Sequence, residues 1–600
     1  MRLTNVAHLR LPFGRLLGYD VSTGALGRPL PVSFDQRRHV GAGDRAGSWM
    51  ALSFRLSDPV DPDDLAAAWL AVVARHGALR TVFTPSPDPG GSPALHEVEV
   101  GPGGWTEHPI APGQAVNEAL RDVLDATCRP YADIDHRPSH RLCVLQTADG
   151  PTVVVAADHA HVDLWSMLVV ARDLLGALAQ VRTGARPELT PVPAFAEHTR
   201  SLEQRQRAPE DVRRRWAEVL AASDEVMPRF PLPLGAVGAP QRERVEVRDV
   251  LDVDDSAAFS AEAREQGVST LALVIAAMTA VTREQAGAPL RAVFPVHSRY
   301  DATWHDSVGW FITNAVLESS DPDPRASAAA VKEAIRLGSW PLEDVLAPWG
   351  GMPEAPGMFA ISWLDLRRLP VRVDATGLEA QYVGATVLTD GVMLWFVLDE
   401  SGLHLRCRYP DTVEARASVG GWLDALVARL RAEARASVGG RLRLPGPEGE
   451  RVYRVQRARR GDVPALVGLL GDDEIGRTRE SAELVRYEAA FDAVARDDAH
   501  YLAAVRDEAD RIVGTMQLTI LPGLSRGGTT RLQIEGVRVA ASERGTGLGS
   551  AMIGWAHDHG RARGATLAQL TSDHARERAI AFYTRLGYVD SHAGLKRPLP

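Results

Sequence analysis

The 600-residue sequence contains few cysteines and no long apolar run. Its three cysteines, Cys128, Cys143 and Cys407, form no Cys-x-x-Cys pair, which excludes a disulfide framework and a thiolate zinc site and favours a reducing compartment. The longest apolar stretch, at 271–281, is shorter than the roughly 20 residues that a membrane-spanning helix needs. The first residues lack the features of a secretory signal. These absences predict a cytoplasmic protein with no metal and no membrane association.

Lysine is almost missing, so nearly all positive charge comes from arginine. Lys332 and Lys596 are the only lysines, and 67 basic residues against 77 acidic ones give a formal net charge of −10 at pH 7. An acidic chain without a sustained basic stretch argues against nucleic acid as the main partner. The composition, 45% hydrophobic and 24% charged, is that of a globular protein, and the length predicts several domains.

Strand-like and helix-like runs alternate through the first two thirds of the chain. Residues 152–157 have the apolar, β-branched character of a buried strand, and residues 165–178 repeat apolar side chains on one helical face. A second region begins near Val452, where a strand-like run precedes a helix predicted to begin after Asp462. A segment rich in proline and glycine, at 441–450, separates the two regions and predicts a linker.

A glycine-rich turn follows the predicted strand at 532–539 and opens a helix. The turn, Arg-Gly-Thr-Gly-Leu-Gly at 544–549, lets the backbone approach an anion, and N–H groups at the helix start would donate hydrogen bonds to it. A pyrophosphate suits such a turn. The motif by itself does not distinguish a phosphate site from a tight turn without a ligand.

A second motif, Ala-Ile-Ala-Phe-Tyr-Thr-Arg-Leu-Gly-Tyr at 579–588, lies 30 residues beyond the turn. In this order and spacing the two motifs resemble the GNAT superfamily of acyl-CoA N-acyltransferases, over about residues 450–600. The resemblance implies acetyl-CoA as co-substrate, Glu535 as the group that accepts a proton from the amine, and Tyr583 as the acid that protonates the departing thiolate. Without the resemblance, Tyr583 would be interpreted as a core aromatic and Glu535 as a solvated strand charge.

The same resemblance implies a set of residues that bind the co-substrate. Backbone amides on the strand would bind the pantetheine arm and the thioester carbonyl, and those of the turn would bind the pyrophosphate. Many family members carry Asn near position 576, where this chain has Arg576. The implied residues are Val537, Val539, Arg544, Gly545, Thr546, Gly547, Leu548, Gly549, Ser550 and Arg576.

The main candidate site in the first part of the chain is Asp-His-Ala-His-Val-Asp at 158–163. A buried strand is predicted to end before it and a helix to begin after it, and at such a junction side chains reach into a cleft from a rigid scaffold. His-x-x-x-Asp alone occurs by chance. Three further motifs accompany it in order: Ser-Phe-Asp-Gln-Arg at 33–37, Arg-His-Gly-Ala-Leu-Arg-Thr-Val-Phe at 75–83, and Val-Gly-Trp-Phe-Ile-Thr-Asn at 308–314.

Together these motifs resemble those of nonribosomal peptide synthetase condensation domains, over about residues 28–435. The resemblance implies His159 as the catalytic imidazole, which orients or deprotonates an incoming amine or hydroxyl. It implies Asp163 as a structural acid, with Arg299 as its partner.

Two positions depart from the family pattern. Asp158 stands where the family has a first histidine, and would hold the loop or pair with His159 or His161 and raise the pKa of that imidazole. Leu164 replaces a glycine, so a side chain stands where backbone space serves the substrate. His161 is interpreted as structural and as the alternative base.

The predicted fold class is α/β (α+β), with two chloramphenicol-acetyltransferase-like lobes in a V followed by a GNAT-fold domain. The lobes come from the condensation resemblance and the last domain from the GNAT resemblance. The predicted boundaries are 1–183 for the first lobe, 184–440 for the second lobe, 441–450 for the linker and 451–600 for the GNAT domain.

These resemblances imply a bifunctional acyltransferase of natural-product biosynthesis. One part would form an amide or ester from a thioester, and the other would acetylate an amine of a small molecule or amino acid. The sequence contains no adenylation signature and no carrier-protein serine motif, so the first thioester would arrive on CoA or on the phosphopantetheine of a separate carrier protein. Two alternatives stay open: a non-catalytic carrier-docking module joined to an acetyltransferase, or an antibiotic-modifying acetyltransferase with an accessory domain.

Overall fold

The computed structural model describes all residues except 87–90, 132–135, 149, 237, 376, 437–438, 447–448, 473–482, 496, 498, 593, 595–596 and 598–600. The chain divides into two compact units. The first unit comprises residues 1–250 and 271–427, and the second comprises residues 251–270 and 428–600. The second unit is therefore assembled from two separate stretches of sequence.

The strands are β1 (Arg2–Asn5), β2 (Arg15–Leu30), β3 (Trp49–Arg55), β4 (Thr81–Thr84), β5 (Ala94–His108), β6 (His140–Gln146), β7 (Thr152–Asp158), β8 (Gln241–Leu251), β9 (Leu290–His297), β10 (Ile312–Ser319), β11 (Phe359–Asp365), β12 (Gln381–Gly384), β13 (Leu388–Thr389), β14 (Val392–Asp399), β15 (Gly402–Pro410), β16 (Gly440–Gly446), β17 (Gly449–Arg457), β18 (His500–Arg506), β19 (Ile512–Leu521), β20 (Arg531–Val539) and β21 (Leu567–Leu570).

The helices are α1 (Phe34–Gly41), α2 (Pro62–Arg75), α3 (Val116–Thr127), α4 (Leu164–Arg182), α5 (Phe195–Glu203), α6 (Glu210–Ala221), α7 (Val253–Glu265), α8 (Thr270–Ala286), α9 (Pro324–Gly338), α10 (Leu342–Leu346), α11 (Val413–Ala436), α12 (Val463–Leu470), α13 (Leu484–Ala495), α14 (Leu548–Ala562) and α15 (Glu577–Arg585). Short 3₁₀ turns span Val6–His8, Gly77–Arg80, Ala302–Trp304, Ala347–Trp349, Leu366–Arg368, Arg460–Asp462 and Ala541–Glu543, and one further turn spans Ser525–Gly528.

Two mixed sheets form the first unit, as the two-lobed prediction requires. The first sheet has the strand order β1-β12-β3-β7-β6-β2-β5-β4, and the second has the order β10-β9-β11-β14-β15-β8-β13. Strand β12 pairs with β1 in parallel and with β3 antiparallel, although it follows most of the second sheet in sequence. The predicted boundary between residues 183 and 184 therefore does not separate the two sheets completely, because residues 381–384 complete the first.

The predicted strand at 152–157 and the predicted helix at 165–178 are both confirmed, as β7 and α4. All seven residues of β7 are buried, because β7 is an interior strand of the first sheet. By length and composition α4 is apolar enough to cross a membrane, but 61% of its most apolar stretch is buried within the protein, as in a core helix. Apolar residues of both elements belong to one hydrophobic cluster.

A six-stranded sheet forms most of the second unit, with the order β16-β17-β18-β19-β20-β21. Neighbouring strands are antiparallel except β20 and β21, which are parallel. Helix α12 begins after Asp462, as predicted, but the Asp462 carboxylate accepts hydrogen bonds from Arg459 N (2.9 Å) and Arg506 Nη2 (2.6 Å) instead of capping α12.

The segment 441–450, predicted as a linker, differs in the structure. Strand β16 pairs with β17 from Gly440↔Val455 to Gly446↔Gly449, so most of this segment is the first hairpin of the second sheet. Leu442 is buried and Leu444 half-buried, whereas the arginines at 441 and 443 are exposed. This alternation is the period of a strand, and Pro445, Gly446 and Gly449, which contributed to the linker prediction, lie in the last pairs of the hairpin ladder.

Helix α7 belongs to the second unit, although the sequence predicts it as part of the second lobe. Asp254 lies at its start with a side chain only 7% exposed, and it accepts hydrogen bonds from Arg457 Nη2 (3.3 Å) and from Arg563 Nη1. His559 Nδ1 is 3.5 Å from the same carboxylate. Burial, together with the neighbouring arginines, lowers the pKa of His559 to about 3, so this histidine is neutral.

We expect Asp254→Ala to lower the free energy of unfolding of the second unit by about 3 kcal/mol, because it removes a carboxylate that faces two largely buried guanidinium groups. The matched control is Asp558→Ala, which removes an exposed carboxylate paired with Arg561 and should cost less than about 1 kcal/mol. Urea unfolding followed by hydrogen–deuterium exchange of peptides from residues 500–570 measures both. Equal effects of the two variants would contradict the expectation.

Candidate functional site

His159 lies in the short connection between β7 and α4. The Asp163 carboxylate caps α4 by accepting a hydrogen bond from Ser166 N (2.7 Å), and the His159 backbone N–H donates to Ser48 O (3.0 Å). The imidazole of His159 stacks on the indole of Trp310, with ring centroids 4.2 Å apart and planes inclined by 28°. The backbone bond fixes the loop, and the stacked indole restricts the orientation of the ring.

The surroundings of His159 keep its imidazole neutral. The residue is half-buried, and its Nδ1 is buried with no hydrogen-bond partner in the described part of the chain. Burial lowers the pKa of His159, the nearby imidazole of His39 lowers it further, and Asp158 and Asp163 only partly oppose the shift. A neutral imidazole can accept a proton, so at pH 7 this side chain has the protonation state of a base.

The structure brings Asp163 and Arg299 together as a buried ion pair, at 1% and 0% side-chain exposure. Arg299 Nη1 donates to Asp163 Oδ2 (2.7 Å), and the same oxygen accepts a hydrogen bond from Phe311 N (3.1 Å). Burial alone would raise the pKa of Asp163, but the charge and hydrogen bonds of Arg299 outweigh it and lower that pKa. The guanidinium carbon of Arg299 also lies 4.0 Å from the ring centroid of Phe311. Asp163 thus ties the start of α4 to the segment before β10.

Asp158 pairs with a residue that the sequence analysis did not single out. Its carboxylate accepts hydrogen bonds from His39 Nε2 (3.2 Å), from Ser48 Oγ and from Ala160 N (2.9 Å). Burial would raise the pKa of Asp158, but the bonds from His39 and Ser48 prevail and lower it. The carboxylate therefore holds the loop around His159, which agrees with the first of the two interpretations of Asp158. In line with the second interpretation, the charge of Asp158 acts to raise the pKa of His159 and of His161, but burial outweighs it and both pKa values are lowered.

His39 donates to Asp158 because Arg45 fixes its tautomer. Arg45 Nη2 lies 3.0 Å from His39 Nδ1, and a guanidinium can only donate, so Nδ1 accepts and the proton is on Nε2. The ring of His39 also meets the edge of Trp310, at 5.0 Å between centroids. A second imidazole thus stands beside the His159 site.

The Ser33–Arg37 motif braces the same loop. Ser33 caps α1 through Gln36 N (3.2 Å), and Gln36 Oε1 accepts in return from Ser33 N (3.1 Å), which is a capping box. Gln36 Nε2 then donates to Ala160 O (2.8 Å), one residue after His159. The motif therefore positions the loop from α1.

The motif at 75–83 fastens α2 to α4. Arg75 Nη1 and His76 Nε2 lie 2.5 and 2.8 Å from the same buried Asp173 oxygen on α4. Thr81 Oγ1 lies 3.2 Å from Nδ1 of His161, whose residue is 3% exposed. His161 is therefore packed behind the loop, as expected of a structural histidine.

Leu164 is half-buried at the first position of α4. Its side chain packs against the hydrophobic cluster of the first unit, and its carbonyl accepts a hydrogen bond from Tyr382 Oη (2.7 Å). The side chain that replaces the family's glycine is thus partly absorbed by the core.

In the second unit the turn at 544–549 has the geometry of an anion-binding loop. Gly545 and Gly547 have φ angles of 82° and 92°, a left-handed conformation that favours glycine, and Gly547 immediately precedes α14. A Cβ on Gly545 would meet nothing within 4 Å, and one on Gly547 would meet only the Leu444 side chain at 3.8 Å. Because the space beside the helix N-terminus is open, these residues fit a pyrophosphate.

The other residues of this turn occupy distinct environments. Arg544 is exposed, and its Nη2 donates to Asp472 Oδ2 (2.8 Å), so its side chain is engaged by a carboxylate beside the turn. Thr546 Oγ1 donates to Glu543 O (2.8 Å). On α14, Leu548 is buried, Gly549 is half-buried and Ser550 is exposed.

Strands β20 and β21 pair only over Arg531–Ile534 and Leu567–Leu570. Val537 and Val539 lie beyond the last of these pairs, after Gly536, whose φ of 60° accompanies a register shift against β19. The edge of β20 that carries these two residues therefore lies outside the ladder with β21. An extended arm such as pantetheine fits beside a strand edge of this kind.

Glu535 and Tyr583 lie on different elements of the second unit. Glu535 is exposed on β20, opposite Gln517 of β19, and Tyr583 is half-buried on α15. Burial raises the pKa of Tyr583, opposed by Arg538 and by the half-buried Arg576 at the start of α15. The phenol is therefore protonated at pH 7 and has a proton to donate.

Among the described residues, no group of three or more His, Cys, Asp or Glu side chains is placed to hold a metal ion.

Known families and proteins match both parts of the chain. Residues 41–335 match the Condensation domain family, and residues 469–588 match the acetyltransferase (GNAT) family. The isonitrile lipopeptide synthase of Mycobacterium tuberculosis is 28% identical over 464 residues, which are 67% of this chain and 17% of the synthase. The acyltransferase PapA3 of the same species is 24% identical over 338 residues, 53% of this chain and 70% of PapA3.

The fold of the PapA2 acyl transferase resembles that of this chain, with a TM-score of 0.64 and 20% identity over 72% of this chain and all of PapA2. This chain spans less than a fifth of the length of the isonitrile lipopeptide synthase. The likeness to PapA2 supports the two-lobed fold of the first unit.

We expect His39→Phe to lower the free energy of unfolding at pH 7 by about 2 kcal/mol, because the buried carboxylate of Asp158 loses a hydrogen bond. The effect should shrink as the pH falls below 4. There Asp158 becomes protonated in the unfolded state and then in the folded state, so the stability that its lowered pKa contributes is lost in both proteins. Urea unfolding at pH 7 and pH 3 tests this, with His8→Phe at an exposed position as control. A difference that does not depend on pH would speak against a role through Asp158.

Proposed function

Since the chain joins a condensation domain to a GNAT acetyltransferase domain, we propose that it is a bifunctional acyltransferase of natural-product biosynthesis. The condensation domain forms an amide or ester from an acyl or aminoacyl thioester. The GNAT domain transfers the acetyl group of acetyl-CoA to an amine of a small molecule or amino acid. Both steps are attack by a nucleophile on a thioester.

The observation that carries the first activity is the neutral, half-buried imidazole of His159, held against Trp310. His159 takes the proton of the incoming amine or hydroxyl as the new C–N or C–O bond forms and the C–S bond breaks. The proton then passes to the departing thiolate. Asp163 and Arg299 act as positioning residues, because they fix the loop without facing the reacting atoms.

The second activity rests on the open glycine turn and on the protonated phenol of Tyr583. Glu535 accepts a proton from the substrate ammonium, and the free amine attacks the acetyl carbonyl. The C–N bond forms, the C–S bond breaks, and Tyr583 gives its proton to the CoA thiolate. Amides of Val537, Val539 and the turn hold the co-substrate.

The donor for the condensation domain comes on CoA or on a separate carrier protein. The sequence itself shows no carrier-protein serine motif. Similarity to a lipopeptide synthase and to the acyltransferase PapA3 supports acyl transfer as the reaction. Three buried free cysteines, Cys128, Cys143 and Cys407, support a reducing cytoplasm as the place of action.

A second candidate is that the condensation domain binds a loaded carrier without catalysing transfer, and that only the GNAT domain is an enzyme. Leu164 and Asp158 favour it, because both depart from the family pattern next to His159. Binding of a loaded carrier protein without product formation would support it over the first candidate.

We expect His159→Ala to lower the rate of amide or ester formation by about a hundredfold, the usual contribution of a positioned base. In the wild type, the rate should fall on the acid side with a midpoint below 6.5, because the pKa of His159 is lowered and the neutral form is active. Mass-spectrometric detection of product from an acyl-loaded carrier at pH 5 to 8 measures both. His161→Ala, two residues further along the loop, should keep the acid limb unchanged. Full activity of His159→Ala would exclude His159 as the base.

We expect Tyr583→Phe to lower acetyl transfer from acetyl-CoA to an amine by about a hundredfold, because the thiolate loses its proton donor. The matched control is Tyr588→Phe, whose ring lies 5.8 Å from that of Tyr583 and whose hydroxyl instead contacts His557. Release of free CoA thiol in the presence of candidate amines follows the reaction. Equal rates for Tyr583→Phe and the wild type would remove Tyr583 as the acid.

A further inference from the structure

Two arginines stand side by side on one face of β15 in the first unit. Arg406 and Arg408 are two residues apart, so their side chains leave the same face of the strand. Arg406 is 6% exposed, and the Arg408 side chain is 21% exposed. The indole of Trp395, directly opposite Arg406 on β14, lies 4.7 Å from one guanidinium carbon and 5.4 Å from the other. Two like charges are therefore held side by side in a largely buried position.

Several polar atoms of this cluster have no hydrogen-bond partner in the described part of the chain. They include Nε and Nη2 of Arg406 and Nε of Arg408, all buried. The facing carboxylate of Glu243, with a side chain 1% exposed, accepts from Asn5 Nδ2 through Oε1 (2.8 Å). Its Oε2 is 3.9 Å from Arg408 Nε, beyond hydrogen-bonding distance, and is also unpaired. Buried donors on a charged group are costly to leave without an acceptor.

The cluster also carries an excess of one positive charge, from two arginines against Glu243. Burial, with the neighbouring Arg408, lowers the pKa of Arg406 to about 10, so Arg406 remains charged at pH 7. Burial lowers the pKa of Arg408 as well. A single negative charge would balance the cluster and satisfy its free donors.

Gly384 of β12 leaves room for the Arg406 guanidinium. A Cβ at this position would lie 3.3 Å from both Nη1 and Nη2 of Arg406, closer than an ordinary contact. Trp395 packs against the hydrophobic cluster that also contains Trp310, the residue stacked on His159. The arginine pair and the His159 loop thus border one continuous core.

We propose that Arg406 and Arg408 form a binding site for a compact monoanionic group, a carboxylate or a phosphodiester, carried by a molecule that the first unit binds. The planar fork of Arg406 offers two donors in the geometry that both groups accept. A carboxylate would come from a small organic acid, and a phosphodiester from a phosphopantetheine arm attached to a carrier serine.

The test is a calorimetric titration of the full-length protein with acetate and, separately, with dimethyl phosphate, at constant ionic strength set with sodium chloride. We expect one of the two anions to bind with a stoichiometry of one, and the one that binds identifies the source of the group. Arg406→Met should weaken binding about tenfold or more, because a charge-assisted pair of hydrogen bonds is lost. Gly384→Ala should weaken it too, since the added Cβ displaces the guanidinium without changing any charge.

If Arg406 had only a structural role, its replacement would change the melting temperature in the opposite direction. Replacing a structural arginine would lower the melting temperature, whereas we expect Arg406→Met without ligand to leave it unchanged or raised, because unpaired buried donors are removed. Arg28→Met, at an exposed ion pair, is the control for loss of one charge. Binding of neither anion, or equal binding by the wild type and Gly384→Ala, would overturn the proposal. No turnover is measured, so this result is independent of the acyl transfer proposed above.

Discussion

The buried ion pair between Asp163 and Arg299 is the interaction on which the arrangement of the first unit depends. It joins the start of α4, directly after the His159 loop, to the segment between β9 and β10 of the second sheet. Both charges are almost completely withdrawn from water, so each requires the other. Ser166 extends the link, since its hydroxyl donates to Gly309 O and accepts from Arg299. The same connection brings Trp310 to the imidazole of His159.

The sequence motifs around this ion pair contribute two kinds of residue: residues that support the His159 loop, and groups that can react. The capping box of α1 holds the His159 loop through Ala160, and the Arg75–His76–Asp173 cluster fastens α2 to α4, the helix that follows this loop. Among the described residues, buried nitrogens without a hydrogen-bond partner occur both in His159, at Nδ1, and in the supporting residues Arg75 and His76. What distinguishes His159 is its position: it is half-buried, whereas His76 and His161 are buried, so its imidazole is the most accessible of the three to a substrate.

Much of this arrangement can be predicted from the sequence, and the features that cannot be predicted have identifiable physical reasons. The strand at 152–157 was predictable because burial imposes a residue pattern, and the strand at 532–539 because it leads into a glycine-rich turn. The Asp163–Arg299 pair was predictable because a known motif order implies it. The partner of Asp158 was not, since nothing local relates residue 39 to residue 158. Likewise, β12 joins the first sheet from far along the chain, and no local pattern in residues 381–384 indicates which sheet they complete. Composition misled at 441–450, where glycine and proline signal a hairpin turn as readily as a linker.

Because the second unit takes α7 from the middle of the condensation sequence, its folding is not a purely C-terminal event. During translation, residues 251–270 leave the ribosome well before the six-stranded sheet of the second unit. Asp254 can form its ion pairs only after Arg457 and Arg563 have been synthesised. A gene rearrangement that exchanged only the codons after residue 450 would therefore deliver a GNAT domain without its first strand and without the acidic helix that pairs with its arginines. The two units of this chain are inherited as one piece.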